Sequence, residues 1–241
     1  MAKVGKKYAA ALAQIDQERA YKVEDAIELV KKISFANFDE TIELHARLGI
    51  DPRQADQAVR TNVILPHGSG RVVRVLVFAA GEAERSALDA GADYAGSDEL
   101  VQQIQGGWLE FDAAVAMADQ MSKVGGLGRI LGRRGLMPNP RSGTVVREVE
   151  DLPNVIRELK GGRVEFRNDR TGNVHITVGR KGFTEQQLGE NIFAAIDAIN
   201  AAKPTGIKGV YCRTLTIAST MGPGIEVDVN DALGRASSFA S

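Results

Sequence analysis

The chain has a single cysteine, Cys212, among its 241 residues. That excludes an internal disulfide framework and any cysteine-rich zinc site. No apolar run approaches the ~20 residues that span a bilayer, so no membrane partner is expected. The N-terminal stretch Met1-Ala2-Lys3-Val4-Gly5-Lys6-Lys7 is basic but continues into an amphipathic segment rather than a signal-type apolar block, which points to the cytoplasm. No Gly-Lys-Ser or Gly-Lys-Thr occurs, so a Walker-type phosphate loop is absent. His45, His67 and His175 have no ligand-like spacing with carboxylates, and neither a His-Glu-x-x-His stretch nor a nucleophile elbow is present. These absences leave little support for catalysis, and no cofactor, metal or small-molecule substrate is expected.

One further absence is local. From Gln120 to Arg147 there is no acidic residue, while Lys123, Arg129, Arg133, Arg134, Arg141 and Arg147 stand among six glycines and two prolines. The composition reads as a flexible cationic loop. In a chain of formal net charge -1, such segregation favours a polyanionic partner, although a merely solvated surface insertion fits the composition equally well. Within this stretch, Gly126-Leu127-Gly128-Arg129-Ile130-Leu131-Gly132 misses the dinucleotide-binding spacing by one residue, and Pro138 and Pro140 oppose the helix that such a site needs.

Hydrophobic content of 44% and charged content of 25% suit a globular protein of two modest domains. Between Arg71 and Asp119, strand and helix patterns alternate, which implies a parallel sheet. Asp151 can cap a further helix over Leu152–Lys160. Upstream, Ile42, Leu44, Ala46 and Leu48 alternate on one face of a half-buried strand. Downstream, Arg163–Arg167 and Asn173–Val178 flank a Gly-containing connection and read as an antiparallel hairpin. Thr184 and Gln187 form a capping box ahead of the apolar helical stripe Leu188, Ile192, Ala195, Ile196 and Ile199. Strands are expected over Gly209–Ser219 and Glu226–Val229, with Cys212 packing as a small hydrophobe.

The expected fold is therefore α/β combined with α+β. A discontinuous two-layer α+β domain comprises residues 1–67 and 160–230, and a three-layer Rossmann-like α/β domain is inserted at 68–159. A tail follows at 231–241. Both crossings, around Pro66, Gly68 and Gly70 and around Gly161 and Gly162, are rich in turn formers and poor in apolar residues, and are read as a two-strand hinge.

Two surface features bear on function. Thr214, Thr216, Ala218 and Thr220 share one face by period two and lead into Met221-Gly222-Pro223-Gly224. Hydroxyls beside glycines suit a ribose 2′-OH, and an exposed strand ending in a turn fits the same residues. Phe38 shares the parity of Ile42 and Leu44 and is expected in the core, with packing on a nucleotide as the alternative. Asp39 and Glu40 are expected to cap or to face solvent.

Seven ordered motifs then carry a resemblance: Phe38-Asp39-Glu40-Thr41, Gly49-Ile50-Asp51-Pro52-Arg53, Leu65-Pro66-His67-Gly68, Ala90-Gly91-Ala92-Asp93-Tyr94, Leu136-Met137-Pro138-Asn139-Pro140, Val164-Glu165-Phe166-Arg167-Asn168-Asp169 and Thr220-Met221-Gly222-Pro223. Together they resemble the bacterial large-subunit ribosomal protein L-one family over nearly the whole chain. The resemblance implies a two-domain structural protein of the large ribosomal subunit that catalyses no reaction. It further implies binding to the stalk region of 23S rRNA, assistance in releasing deacylated exit-site tRNA, and repression through its own operon mRNA. Carried over by motif, the rRNA contacts would be Phe38, Glu40, Thr41, Thr214, Thr220, Met221 and Gly222. Arg53, Arg167 and Lys208 lie near these motifs in sequence and are candidates for phosphate contact. Lys123, Arg129, Arg133, Arg134 and Arg141 would face tRNA or further stalk RNA.

Asn37 stands where relatives often place a cation, and Arg133 where they often place proline. The expected flanking domain and tail together hold 20 basic against 18 acidic residues and the insert 10 against 13, so binding would rest on shape and local placement rather than bulk charge. The rival reading from another class is a nucleotide-dependent α/β enzyme using the insert.

Overall fold

The computed structural model describes residues 5–54 and 56–239, with only the backbone described at 141 and 237–239. In chain order its main elements are α1 (Lys6–Leu12), α2 (Val23–Ile33), β1 (Thr41–Leu48), β2 (Arg60–Ile64), β3 (Val75–Phe78), α3 (Glu82–Asp89), β4 (Tyr94–Gly96), α4 (Asp98–Gln105) and β5 (Ala113–Met117). Then come α5 (Met121–Val124), α6 (Gly128–Arg134), β6 (Val145–Val146), α7 (Leu152–Gly161), β7 (Arg163–Arg167), β8 (Asn173–Arg180), α8 (Glu185–Ala201), β9 (Cys212–Ser219), β10 (Ile225–Val227) and α9 (Val229–Phe239). They divide into two compact units, one of residues 1–70 with 164–241 and one of residues 71–163.

In the first unit, an antiparallel sheet runs β10-β9-β1-β8. Ile42, Leu44, Ala46 and Leu48 are all buried, as period-two alternation requires, with Val174, Ile176, Leu215 and Ile217 beside them. Helices α2, α8 and α9 cover this inner face. Val23, Ala26, Ile27, Val30 and Ile33 form the buried stripe of α2, whose Glu24 and Asp25 in the first turn and Lys31 and Lys32 in the last suit the helix dipole. Thr184 Oγ1 accepts the Gln187 N–H and the Gln187 side chain accepts the Thr184 N–H, completing the capping box of α8. Each fully buried Ile or Leu contributes about 1.5–3 kcal/mol. Among the described residues, the outer face of this sheet carries no helix, and the polar residues of β1, β8 and β9 emerge there.

Two expectations for this unit need correction. The segment 163–178 is not a paired hairpin: β7 joins β2 in a separate two-stranded sheet and β8 joins β1, with a single bridge, Asn168 to Val174, between them. Asn168 Oδ1 accepts the Val59 N–H at 2.8 Å, which draws β7 toward β2. Asp169 Oδ1 accepts the N–H groups of Asn173 and Thr171, each at 2.8 Å. The Asn173 N–H foremost, with the hydroxyl and N–H of Thr171, holds the Asp169 carboxyl well below the usual carboxylate range. The expected tail is also no tail over its described part, because residues 231–239 lie in α9. Asp228 Oδ1 accepts from Asn230 at 2.8 Å and Asp231 at 3.2 Å at its start, and Ala232 and Ala236, one turn apart, are buried in the core.

The second unit is a parallel sheet of order β4-β3-β5-β6. Val75, Val77, Val115 and Met117 face α3 and α7, whereas Leu76, Phe78, Ala114 and Ala116 face α4, α5 and α6. Strands covered on both faces explain the continuous apolar runs. Asp93 accepts the Val75 N–H at 2.8 Å and pairs with Lys160 at 3.0 Å. Burial raises its pKa, but these partners more than offset that and hold it below its ordinary value.

Candidate nucleic-acid interface

Residues 34–40, between α2 and β1, are held against the end of β8. Lys181 Nζ donates to the Ser34 carbonyl at 2.7 Å, the Gly182 N–H to Asp39 Oδ1 at 3.1 Å, and the Lys181 N–H to the Glu40 carbonyl at 2.9 Å. Phe38 is left 55% exposed. Its parity with Ile42 does not place it in the core, because regular strand geometry begins only at Thr41.

Glu40 lies where no RNA group can touch it. It is fully buried, and its two oxygens accept the backbone N–H groups of Ala36 at 2.8 Å and Met221 at 3.0 Å. It is therefore neither an exposed cap nor a direct contact, and the expectation of both is corrected: it positions the turn that carries Met221. Burial pushes the carboxyl up, but the Ser219 hydroxyl, the two N–H donors and the Lys181 charge together hold it below its ordinary value. The Ser219 hydroxyl does this without a hydrogen bond of ordinary geometry.

Thr220 completes the join. Its hydroxyl accepts the Thr41 N–H at 3.0 Å and reaches the Thr41 carbonyl at 3.3 Å, while its N–H donates to the same carbonyl at 3.0 Å. Much of its hydrogen-bonding capacity is thus used within the protein. Met221 stands 51% exposed. A Cβ on Gly222 would lie 2.5 Å from the Ser219 hydroxyl oxygen, so the tight turn requires glycine there. Glu40 therefore ties the turn of Met221 and Gly222 to the segment that carries Phe38, and Thr41 and Thr220 are joined directly.

The remaining residues of this unit lie at the other end of the sheet. Thr214 pairs with Arg47 near the C-terminal end of β1, and Arg53 follows β1, Lys208 precedes β9 and Arg167 ends β7. All four side chains, Thr214, Arg53, Lys208 and Arg167, are exposed. An eight-residue strand such as β1 separates the two ends by roughly 20–25 Å. Cys212, buried at this end, behaves as a small hydrophobe, its thiol pushed up by burial to about 11. On the open face between the ends, Thr216 and His45 lie side by side, and His45 is directly opposite His175. Their Nδ1 atoms are 2.8 Å apart. Sequence reading missed this pair: alternation in β1 places His45 on the outer face, but no local signal gives the register with a strand 130 residues away.

In the second unit, the stretch expected as a loop is largely helical. Val124, Leu127 and Leu131, spaced three and four residues apart, are buried, and packing of this stripe outweighs the weak helix propensity of the glycines. Gly135, left-handed at φ 71, ends α6 before Pro138. Arg129, Arg133 and Arg134 project from α6 and are exposed. Lys123 is held by Asp98 at 2.8 Å and by the Ser97 hydroxyl at 3.0 Å. The side chain of Arg141 lies outside the described residues.

The residues read as hinges are locally well defined. Asn191, fully buried, accepts the His67 N–H at 3.0 Å and donates to the carbonyls of Gly68 at 2.9 Å and Val178 at 2.8 Å. Arg180 donates to the Gly70 carbonyl at 3.0 Å. Pro66 lies between these anchors and Leu65. Gly161 is the last residue of α7, and Gly162, at φ 110, caps it.

The family model described as "Ribosomal protein L1p/L10e family" matches residues 30–223. Large ribosomal subunit protein uL1 of Thermomicrobium roseum is 64% identical over 241 residues, covering all of both chains. The uL1 proteins of Chloroflexus aggregans and Dehalococcoides mccartyi are 59% and 54% identical, covering 95% and 93% of this chain and 97% and 94% of those proteins. These matches set the chain among the structural, non-enzymatic proteins of the translation apparatus. It belongs to the ribosomal protein L1p/L10e family, as a protein of the large ribosomal subunit.

Proposed function

We propose that the first unit anchors the protein to the folded stalk region of 23S rRNA, chiefly through the edge formed by Phe38, Thr41, Thr220, Met221 and Gly222. The observation that carries this reading is the pair of large apolar side chains, Phe38 and Met221, left half-exposed on backbone fixed by the buried Glu40. An aromatic and a thioether on a rigid edge suit stacking against unpaired bases. Arg53, Arg167, Lys208 and Thr214 add a second, phosphate-directed contact at the far end of the sheet. The arginines of α6 serve exit-site tRNA or further stalk RNA, and the crossings at Gly70 and Gly162 act as the hinge on which the second unit moves during tRNA release. The same anchoring edge binds the operon mRNA when the protein acts as its own repressor.

Co-sedimentation with large ribosomal subunits tests this reading. Wild type should travel with subunits depleted of their own copy, and Phe38→Asp should not. Equal retention of both proteins would remove the edge from the site.

A further inference from the structure

Building on the RNA-binding reading above, we propose that the His45–His175 pair is a proton-controlled phosphate contact on the open sheet face, closed when neutral and opened to the RNA backbone when fully protonated. The two rings meet edge to face, with centroids 4.9 Å apart at 68°, and their Nδ1 atoms lie 2.8 Å apart. A hydrogen bond between these atoms needs one Nδ1 protonated and the other bare. Both outer nitrogens look toward carboxylates, His45 Nε2 at 3.8 Å from Glu43 and His175 Nε2 at 3.9 Å from Asp169.

This arrangement dictates two different responses to acid. A first added proton settles on the bare Nε2 beside its carboxylate and leaves the Nδ1 bond intact. A second sets N–H against N–H, so the rings must part and each exposes a charged donor. Burial and the charge of His175 hold His45 below its ordinary value, with Glu43 opposing them.

The surroundings make the added charge count. On the same face, β1 presents Glu43 and Arg47, and β9 presents the hydroxyls of Thr214 and Thr216 beside the exposed Arg213 at its start, with Glu226 of β10 opposite Thr216. The cleft that His175 borders adds Glu165, Arg167, Asp169 and Arg170. Carboxylates match or exceed arginines here, so at neutral pH the middle of the sheet is not cationic. An RNA that spans both contact ends crosses it, and protonation supplies charge where the fixed residues do not.

The test is filter binding of the full chain to a transcript of the 23S rRNA stalk region at about pH 8 and about pH 5 at fixed ionic strength. Wild type should bind about two- to fivefold tighter at the lower pH, with a salt slope steeper by about one. The double variant His45→Gln/His175→Gln should show neither change, and His175→Gln alone serves if the double variant does not fold. The same gain in the variant, which would come from the RNA's own protonation, or no gain in wild type would overturn the proposal. Binding at pH 8 without the acid gain removes this inference alone, whereas no binding at either pH removes the RNA-binding reading with it.

Discussion

The Glu40 carboxylate accepts the backbone N–H of Met221 at 3.0 Å across 181 residues of sequence. Through that bond and its partner at Ala36, a fully buried charge fixes both sides of the proposed RNA-binding edge. Glu40→Gln keeps the shape but sets an amide NH₂ against one of two N–H donors. It should destabilise the protein by about 1–3 kcal/mol and weaken RNA binding although Glu40 itself touches no RNA. Unchanged unfolding and unchanged affinity would contradict this role.

Glu40 also makes stability depend on acidity in a defined direction. Its folded-state pKa lies below its ordinary 4.5, so the unfolded chain binds the proton more readily. The stabilisation is present above that value and is lost as pH falls through the folded one. Glu40→Ala should flatten this part of the acid-unfolding curve, and an identical curve would refute the assignment.

Gly222→Ala brings a methyl to within 2.5 Å of the Ser219 hydroxyl oxygen. A cost of about 1–3 kcal/mol is expected from overpacking. Ser219→Ala removes the atom that the methyl meets, so it should restore much of the loss, less what the hydroxyl contributes to holding the Glu40 carboxylate. The thermal midpoints of the two single variants and the double variant give the coupling directly.

The helical reading of residues 121–134 separates from a loop reading by one core substitution. Leu131 is fully buried beneath α6, so Leu131→Ala should cost about 2–5 kcal/mol. A triple change of Arg129, Arg133 and Arg134 to Gln should leave the midpoint nearly unmoved, since these side chains are exposed. A solvated loop would show a negligible effect of Leu131→Ala instead.

His45 contributes in the neutral range. Its folded-state pKa is lowered from 6.5, so the unfolded state binds more protons and stability declines as pH falls below that value. His45→Gln should lose less stability than wild type between about pH 7.5 and about pH 5.5. An equal loss in both proteins would show that the proton is taken up elsewhere.

What the sequence disclosed followed the reach of local signals. β1 was legible because Ile42, Leu44, Ala46 and Leu48 alternate against polar neighbours, and α8 because its capping box and stripe are contiguous. β2 was missed because only Val63 within it is buried, which leaves no alternation to read. α6 was hidden by glycines and arginines that tertiary packing overrides. The extension of strand parity back to Phe38 failed because bonds from Lys181, Gly182 and Met221, just past the ends of β8 and β9, fix the chain before Thr41. The burial of Glu40 and the meeting of His45 with His175 depend on strand register between distant segments, and no local pattern carries that information.

The central claim is that the Phe38–Met221 edge holds the RNA, and the most direct measurement compares the full chain with its Met221→Asp variant. Both would be titrated by filter binding against a transcript of the 23S rRNA stalk region at one fixed salt concentration. The account predicts specific binding by wild type and a loss of about 1–3 kcal/mol in the variant, with its unfolding midpoint retained. Equal affinity of the two folded proteins would contradict it.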